Sequence, residues 1–166
     1  MTAAKPRRSL LFVPADRPDR VRKAFASDAD AIAIDLEDGV SLDRKAEARA
    51  ALRETMGDLD FNGKECFLRI NGLTTVDCLH DLLLVAELEQ KPHVIIAPKV
   101  ESGRELALLD AWLSQLEPAG AEPIRIAAAL ESAEGFFRAA EIARSSRRLT
   151  AILFGGGDLS GQIGCP

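Results

Sequence analysis

Apolar residues in this chain come in short unbroken runs, separated by longer stretches of helical spacing. The runs are SLLFV at 9–13, AIAIDL at 31–36, CFLRI at 66–70, HVIIA at 93–97, IRIAAAL at 124–130 and AILF at 151–154. Continuous apolar runs of this length read as strands buried on both faces. Between them, Val21, Ala24 and Phe25 share one helical face, as do Leu79, Leu82, Leu83 and Ala86. Leu106, Leu109, Leu113 and Leu116 make a third apolar stripe. Ser41 is placed to cap the second helix, and Ser102 with Glu105 fits a capping box. The segment EPAGAEP at 117–123 has the composition of a loop.

The pattern is β-α five times, then a sixth strand. Such alternation predicts a parallel sheet with right-handed crossovers. Periodicity alone leaves two closures open: a doubly wound sheet or a (β/α)8 barrel. A complete barrel takes about 250 residues. The chain has 166, so a barrel here is expected to be incomplete, a single partial domain over residues 1–166.

Composition narrows the function. The chain is 47% hydrophobic and 28% charged, which marks a folded domain. A net charge of −5 argues against nucleic acid or an anionic membrane surface as a partner. The opening MTAAKPRRSL lacks the apolar core of a secretory signal, and no apolar run is long enough to span a bilayer. Cys66, Cys78 and Cys165 form no CxxC pair, so reduced thiols in a cytoplasmic chain are expected, with Cys165 at the surface.

Polar residues stand where the strands end. After the first come Pro14, Asp16 and Arg17; after the second, Asp35, Glu37 and Asp38; around the third, Arg69 and Asn71; after the fourth, Lys99 and Glu101; after the fifth, Glu131; after the sixth, three glycines and Asp158. Parallel α/β folds bind ligands at the carboxyl ends of their strands. Six strands therefore aim polar groups at one rim.

Asp35 and Glu37 lie two apart and face the same side. With Asp38 they repel unless a cation is near, and Lys45, Arg69 and Lys99 are the candidates. Either this is a salt-bridged structural cluster or it supports a metal or substrate. Glu131 and Asp158 suit Mg²⁺, which prefers few protein oxygens and keeps positions for substrate oxygens; Asp158 capping the next turn is the alternative. No His-rich spacing marks zinc, and His80 and His93 read as incidental. Arg69 in a buried-type strand is costly unless paired. Its planar fork fits a substrate carboxylate, the favoured reading, or an ion pair with Asp35 or Glu37. GGGDLSGQIG at 155–164 is neither a P-loop nor a dinucleotide fingerprint.

Taken in order, RSLLFVPADRPDRVRKA, DAIAIDLEDGV, KAEARAAL, FLRIN, IIAPKVES, AALESAEG and LFGGGDLSGQIG resemble the citrate lyase β-subunit and malyl-CoA lyase family, within the HpcH/HpaI aldolase-like superfamily. The resemblance runs from about Arg8 to Gly164. It implies an α/β fold of the (β/α)8 TIM-barrel type, incomplete here, with about six strands and five or six helices. It implies Mg²⁺ held by Glu131 and Asp158, a substrate-carboxylate arginine at Arg69, and CoA contacts at Phe12, Arg17 and Lys23. The expected catalytic set is Arg69, Asp35 and Glu37. The implied reaction is Mg²⁺-dependent carbon–carbon cleavage or its reverse, on a CoA thioester or a short 2-oxo or 3-hydroxy acid. A homo-oligomer is also expected.

Two departures qualify the resemblance. Ala15 stands where the family's glycine is usual. The last two β/α units and a C-terminal segment, which supplies a catalytic acid in malyl-CoA lyase-like members, are absent from the sequence. The competing expectations are therefore a shortened metal-binding remnant or interaction module without turnover, and a pyruvate-type aldolase that uses Mg²⁺ without CoA.

Overall fold

The computed structural model describes residues 7–164. Six strands form one sheet in the order β1-β2-β3-β4-β5-β6: Leu10–Pro14, Ala31–Asp35, Glu65–Arg69, Val94–Ala97, Arg125–Leu130 and Leu149–Phe154. Every neighbouring pair is parallel. A doubly wound sheet would reverse its strand order at a switch point. An unbroken sequential order belongs to a barrel wall, so the fold is an incomplete α/β barrel. Between Ile126 and Ala127 the β5–β6 register slips, leaving Thr150 as the extra residue. Among the described residues, β1 and β6 each pair on one side only.

Among the described residues seven α-helices accompany the strands: α1 Pro18–Phe25, α2 Lys45–Asp58, α3 Val76–Glu87, α4 Gly103–Leu116, α5 Ala133–Phe137, α6 Ala139–Ile142 and α7 Gly156–Ile163. Five or six were expected. The extra one arises because the β5–β6 connection breaks at Arg138 into two short pieces. Proline at the first position of α1 loses no hydrogen bond there and supplies a helical φ.

The sheet separates two apolar cores. On the helix side, Ile32, Ile34, Leu68, Ile95, Ile126 and Leu130 pack under helical residues such as Phe25, Leu52, Val85, Leu106 and Leu109. On the barrel side lies a smaller cluster of Ala31, Ala33, Phe67, Val94, Ile96, Ala127 and Ala129, with Leu10, Ala151 and Leu153 against it. Strand residues alternate faces. One further step along the inner face therefore leads to Asp35, Arg69, Glu131 and Gly155, a polar layer above an apolar one.

Three local expectations are corrected. α3 buries Cys78, Asp81, Leu82, Leu84 and Val85, while Leu79 and Leu83 are exposed. The true inward face is rotated one position from the apolar stripe, because a buried carboxylate occupies it. Asp81 Oδ2 accepts from Asn71 N and Asn71 Nδ2, both at 2.7 Å, and Oδ1 accepts from Arg49 Nε at 2.7 Å. Ser41 precedes a single 3-10 turn, Leu42–Arg44, and makes no side-chain cap; Arg44 stands at the N-cap of α2. Ser102 precedes α4 without a side-chain cap bond, and Glu105 accepts instead from Glu101 N at 2.8 Å. Cys66 and Cys78 are buried free thiols, and Cys165 lies outside the described residues. No helix among the described residues is long and apolar enough to cross a membrane.

Candidate active site

The loop after β2 folds back on its own strand end. Asp35 Oδ1 accepts from Glu37 N at 2.8 Å and Oδ2 from Gly39 N at 2.9 Å. A Cβ on Gly39 would sit 2.4 Å from Asp35 Oδ2, so only glycine lets this turn close. Asp35 and Glu37 are thereby both buried at the rim.

Arg69 stands opposite Asp35 in the β2–β3 register. Its Nε donates to Asp35 Oδ1 at 2.8 Å and its Nη2 to Oδ2 at 2.6 Å. Nη1 lies 3.1 Å from Glu37 Oε2. The structural ion pair weighed at the outset is thus present, with two of the five guanidinium N–H donors on Asp35. The Arg69 Cζ also sits 5.2 Å from the centre of the Phe12 ring, a cation–π contact that steadies the fork. Burial works against the Arg69 charge, but its bond to Asp35 prevails and holds its pKa above the usual arginine value.

Lys99 closes the ring of contacts. Its ammonium donates to Glu37 Oε1 at 2.7 Å and reaches Asp38 Oδ2 at 3.3 Å and Asp158 Oδ2 at 3.7 Å. Its backbone N–H donates to Glu131 Oε2 at 2.9 Å. The hydrogen bond to Glu37 holds the ammonium above the ordinary lysine range. Burial pushes the Glu37 carboxyl up, against the pull of Lys99 and Arg69. Asp38 also feels burial, but its contacts with Glu37 and Lys99 hold it below its ordinary value.

Glu131 follows β5 and Asp158 lies in the first turn of α7. A Cβ on Gly155 would come within 2.2 Å of Glu131 Cγ. The glycine run after β6 thus makes room for a carboxylate side chain, not only for a tight turn. Among the described residues no three His, Cys, Asp or Glu side chains cluster to hold a metal. What the rim offers is two carboxylates, one half-buried and one exposed. That donor set fits a hard cation that keeps most of its ligands for water or substrate. A cavity of about 460 Å³ lies beside Glu37 and Asp38, between the loops after β2, β3 and β4, and is not lined by Glu131 or Asp158. Glu37, Asp38, Ser41, Lys45, Thr75 and Lys99 line part of it.

The structure therefore joins Asp35, Glu37, Arg69, Glu131 and Asp158 through Lys99 and sets Phe12 against Arg69. Arg17 and Lys23 stand apart. Arg17 is at the N-cap of α1, 3.6 Å from Asp16, and Lys23 is exposed in its last turn. Asn71 serves as a clamp, donating to Leu36 O and Asp81. His93 is structural, its Nδ1 accepting from Cys66 N at 2.9 Å. The residue that sequence reading undervalued is Lys99, set among the strand-end residues of the rim but given no role beyond a source of charge. The signal for it was its place directly after Pro98, just beyond the carboxyl end of β4.

The family model described as HpcH/HpaI aldolase/citrate lyase matches residues 8–166. The L-malyl-CoA/β-methylmalyl-CoA lyase of Cereibacter sphaeroides is 37% identical over 97% of this chain and 52% of its own length. The citrate lyase subunit β of Leuconostoc mesenteroides subsp. cremoris is 36% identical over 88% of this chain and 49% of its own. Among solved structures, the citrate lyase β subunit of M. tuberculosis complexed with oxaloacetate and magnesium superposes with a TM-score of 0.75 at 35% identity. It is matched over 96% of this chain and 64% of that one. The chain spans about half the length of the curated relatives it matches.

Proposed function

Because the chain belongs to the HpcH/HpaI aldolase/citrate lyase family, we propose that it carries the metal and carboxylate-binding rim of a Mg²⁺-dependent carbon–carbon lyase. The substrate class is a CoA thioester or a short 2-oxo or 3-hydroxy acid. The observation that carries this reading is the linkage of Arg69 to Glu131 and Asp158 through Glu37 and Lys99 at one rim.

Glu131 and Asp158 would hold the cation. When bound, Mg²⁺ supplies a Lewis acid for an oxygen on which charge develops as the carbon–carbon bond breaks or forms. Arg69 orients a substrate carboxylate with the N–H groups that Asp35 and Glu37 leave open. Asp35, Glu37 and Phe12 fix the guanidinium plane, so its donors are placed before the substrate arrives. Phe12, Arg17 and Lys23 remain the proposed CoA contacts. The spread of Arg17 and Lys23 along α1, six residues or about 9 Å apart, suits a long cofactor tail better than a compact acid.

The same reading makes the protein a cytoplasmic homo-oligomer. Its support is an outer face of β6 on which Ile152 and Phe154 are exposed, beside exposed Phe136 and Phe137. Sedimentation equilibrium showing only monomer would count against that part.

The test of the activity is thioester cleavage by purified protein. With Mg²⁺, a malyl or citryl thioester should release the 2-carbon thioester, and Glu131→Ala and Asp158→Ala should each abolish both turnover and Mg²⁺ binding. Substrate and metal binding without turnover would instead favour the remnant reading.

A further inference from the structure

Lys99 follows Pro98 at the end of β4 with a φ of 51°. This left-handed conformation is uncommon for any residue but glycine. A non-glycine residue held there is a reason to ask what the conformation achieves. In this case it sends the two ends of one residue to two different acids. The backbone N–H meets Glu131 Oε2 at 2.9 Å, while the ammonium meets Glu37 Oε1 at 2.7 Å.

The residue after this bend, Val100, is held from two sides. Val100 N donates to Ala129 O at 3.1 Å, which stitches the loop to β5. The start of α5 presses on it from the other side, where a Cβ on Gly135 would lie 2.4 Å from Val100 O. The loop after β4 is therefore a rigid seat for Lys99. Glu37 divides its two oxygens between Lys99 and Arg69, Oε1 to the ammonium and Oε2 to Nη1. Without the ammonium, Glu37 loses a hydrogen-bonded cation from Oε1 and competes with Asp35 for Arg69.

We propose that Lys99 is a positioning residue that sets the geometry between Arg69 and Glu131, its ammonium acting through Glu37 and its backbone amide acting on Glu131 directly. The role of the site rests on the lyase reading above; the coupling of Lys99 to Arg69 does not. Lys99 acts through the acids it touches. The assignment separates the two ends. Removing the ammonium disturbs Arg69 and carboxylate binding, and leaves the Glu131 contact in place.

The experiment uses Lys99→Met, Lys99→Gly and Lys99→Arg in the full chain, with folding checked by circular dichroism. Glycine retains the amide and accepts the positive φ, so it guards against a backbone effect of methionine. The first readout needs no substrate: the ¹⁵N–¹H signal of the Arg69 side-chain Nε in the metal-free protein. It should shift and exchange faster with water in the Met and Gly variants, and return toward the wild-type position in Arg. The second is calorimetry with Mg²⁺ alone and then oxaloacetate. Oxaloacetate affinity should fall at least tenfold in Met and Gly, with partial recovery in Arg, while Mg²⁺ affinity should not fall in Met or Gly, since the ammonium 3.7 Å from Asp158 Oδ2 competes with the cation.

An unmoved Arg69 signal in folded Met and Gly variants overturns the proposal, as does equal loss of Mg²⁺ and oxaloacetate binding in Gly. If the wild type binds no oxaloacetate with Mg²⁺, the lyase reading falls, and the Arg69 signal alone decides the role of Lys99.

Discussion

Replacing Gly155 by Ala tests the seat of Glu131. The added methyl carbon would lie 2.2 Å from Glu131 Cγ and 2.8 Å from Oε1. Non-bonded carbons settle near 3.5–4.0 Å, so one group must move by more than about 1 Å. The inward-facing backbone is held by Gly155 N donating to Leu130 O at 2.9 Å, which leaves the Glu131 side chain to yield. That rotation breaks its bond to Lys99 N. Losing a hydrogen bond to a charged acceptor costs about 1.5–3 kcal/mol, and an off-rotamer side chain about 0.5–1.5 kcal/mol. If about 2 kcal/mol of this falls on metal binding, Mg²⁺ affinity drops roughly 30-fold. Gly157→Ala is the matched control in the same run, since its Cβ would meet nothing within 4 Å. Calorimetric titration with Mg²⁺, beside urea unfolding, reads both variants. Mg²⁺ affinity within threefold of wild type in Gly155→Ala would refute the assignment of Glu131 to the cation.

Three other outcomes follow from the same geometry. Arg69→Lys should weaken oxaloacetate binding at saturating Mg²⁺ by at least tenfold in calorimetry, because a lysine cannot hold Asp35 bidentately and still face a ligand; unchanged affinity would mean Arg69 is purely structural. Asp81→Asn should lower stability in urea unfolding by about 2–4 kcal/mol, since it removes the carboxylate that pairs with Arg49; a loss below about 0.5 kcal/mol would contradict that role. Burial pushes the Cys78 thiol up to about 12 and raises Cys66 as well. Neither should therefore alkylate in native protein at about pH 8, where an ordinary thiol is partly ionised. Peptide mapping after iodoacetamide would show both unmodified, and rapid labelling of either would contradict their burial.

The strands were legible because each is buried on both faces and so reads as an unbroken apolar run. Their ends fall within two residues of those runs. The barrel could not be told from a doubly wound sheet by periodicity, because both alternate strand and helix; only the sequential strand order decides it. α3 misled because its inward face includes Asp81, which hydropathy counts as outward. Strand-end position found the acids of the rim, since chain direction alone carries them there. It could not show how Arg69 divides its donors, which depends on the register between β2 and β3. Nor could it show the bend at Lys99, as a positive φ at a lysine leaves no mark in composition. Gly155 and Gly39 were visible as glycines, but their reason is a neighbouring carboxylate that only the folded chain brings close.

The central claim is that one rim joins a cation held by Glu131 and Asp158 to a carboxylate held by Arg69. Calorimetric titration of oxaloacetate into the full chain, with saturating Mg²⁺ and again with EDTA, tests it most directly. The account predicts binding with Mg²⁺ that is lost with EDTA, in Asp158→Asn and in Arg69→Met. Equal binding with and without the metal, or none at millimolar concentration, would contradict it.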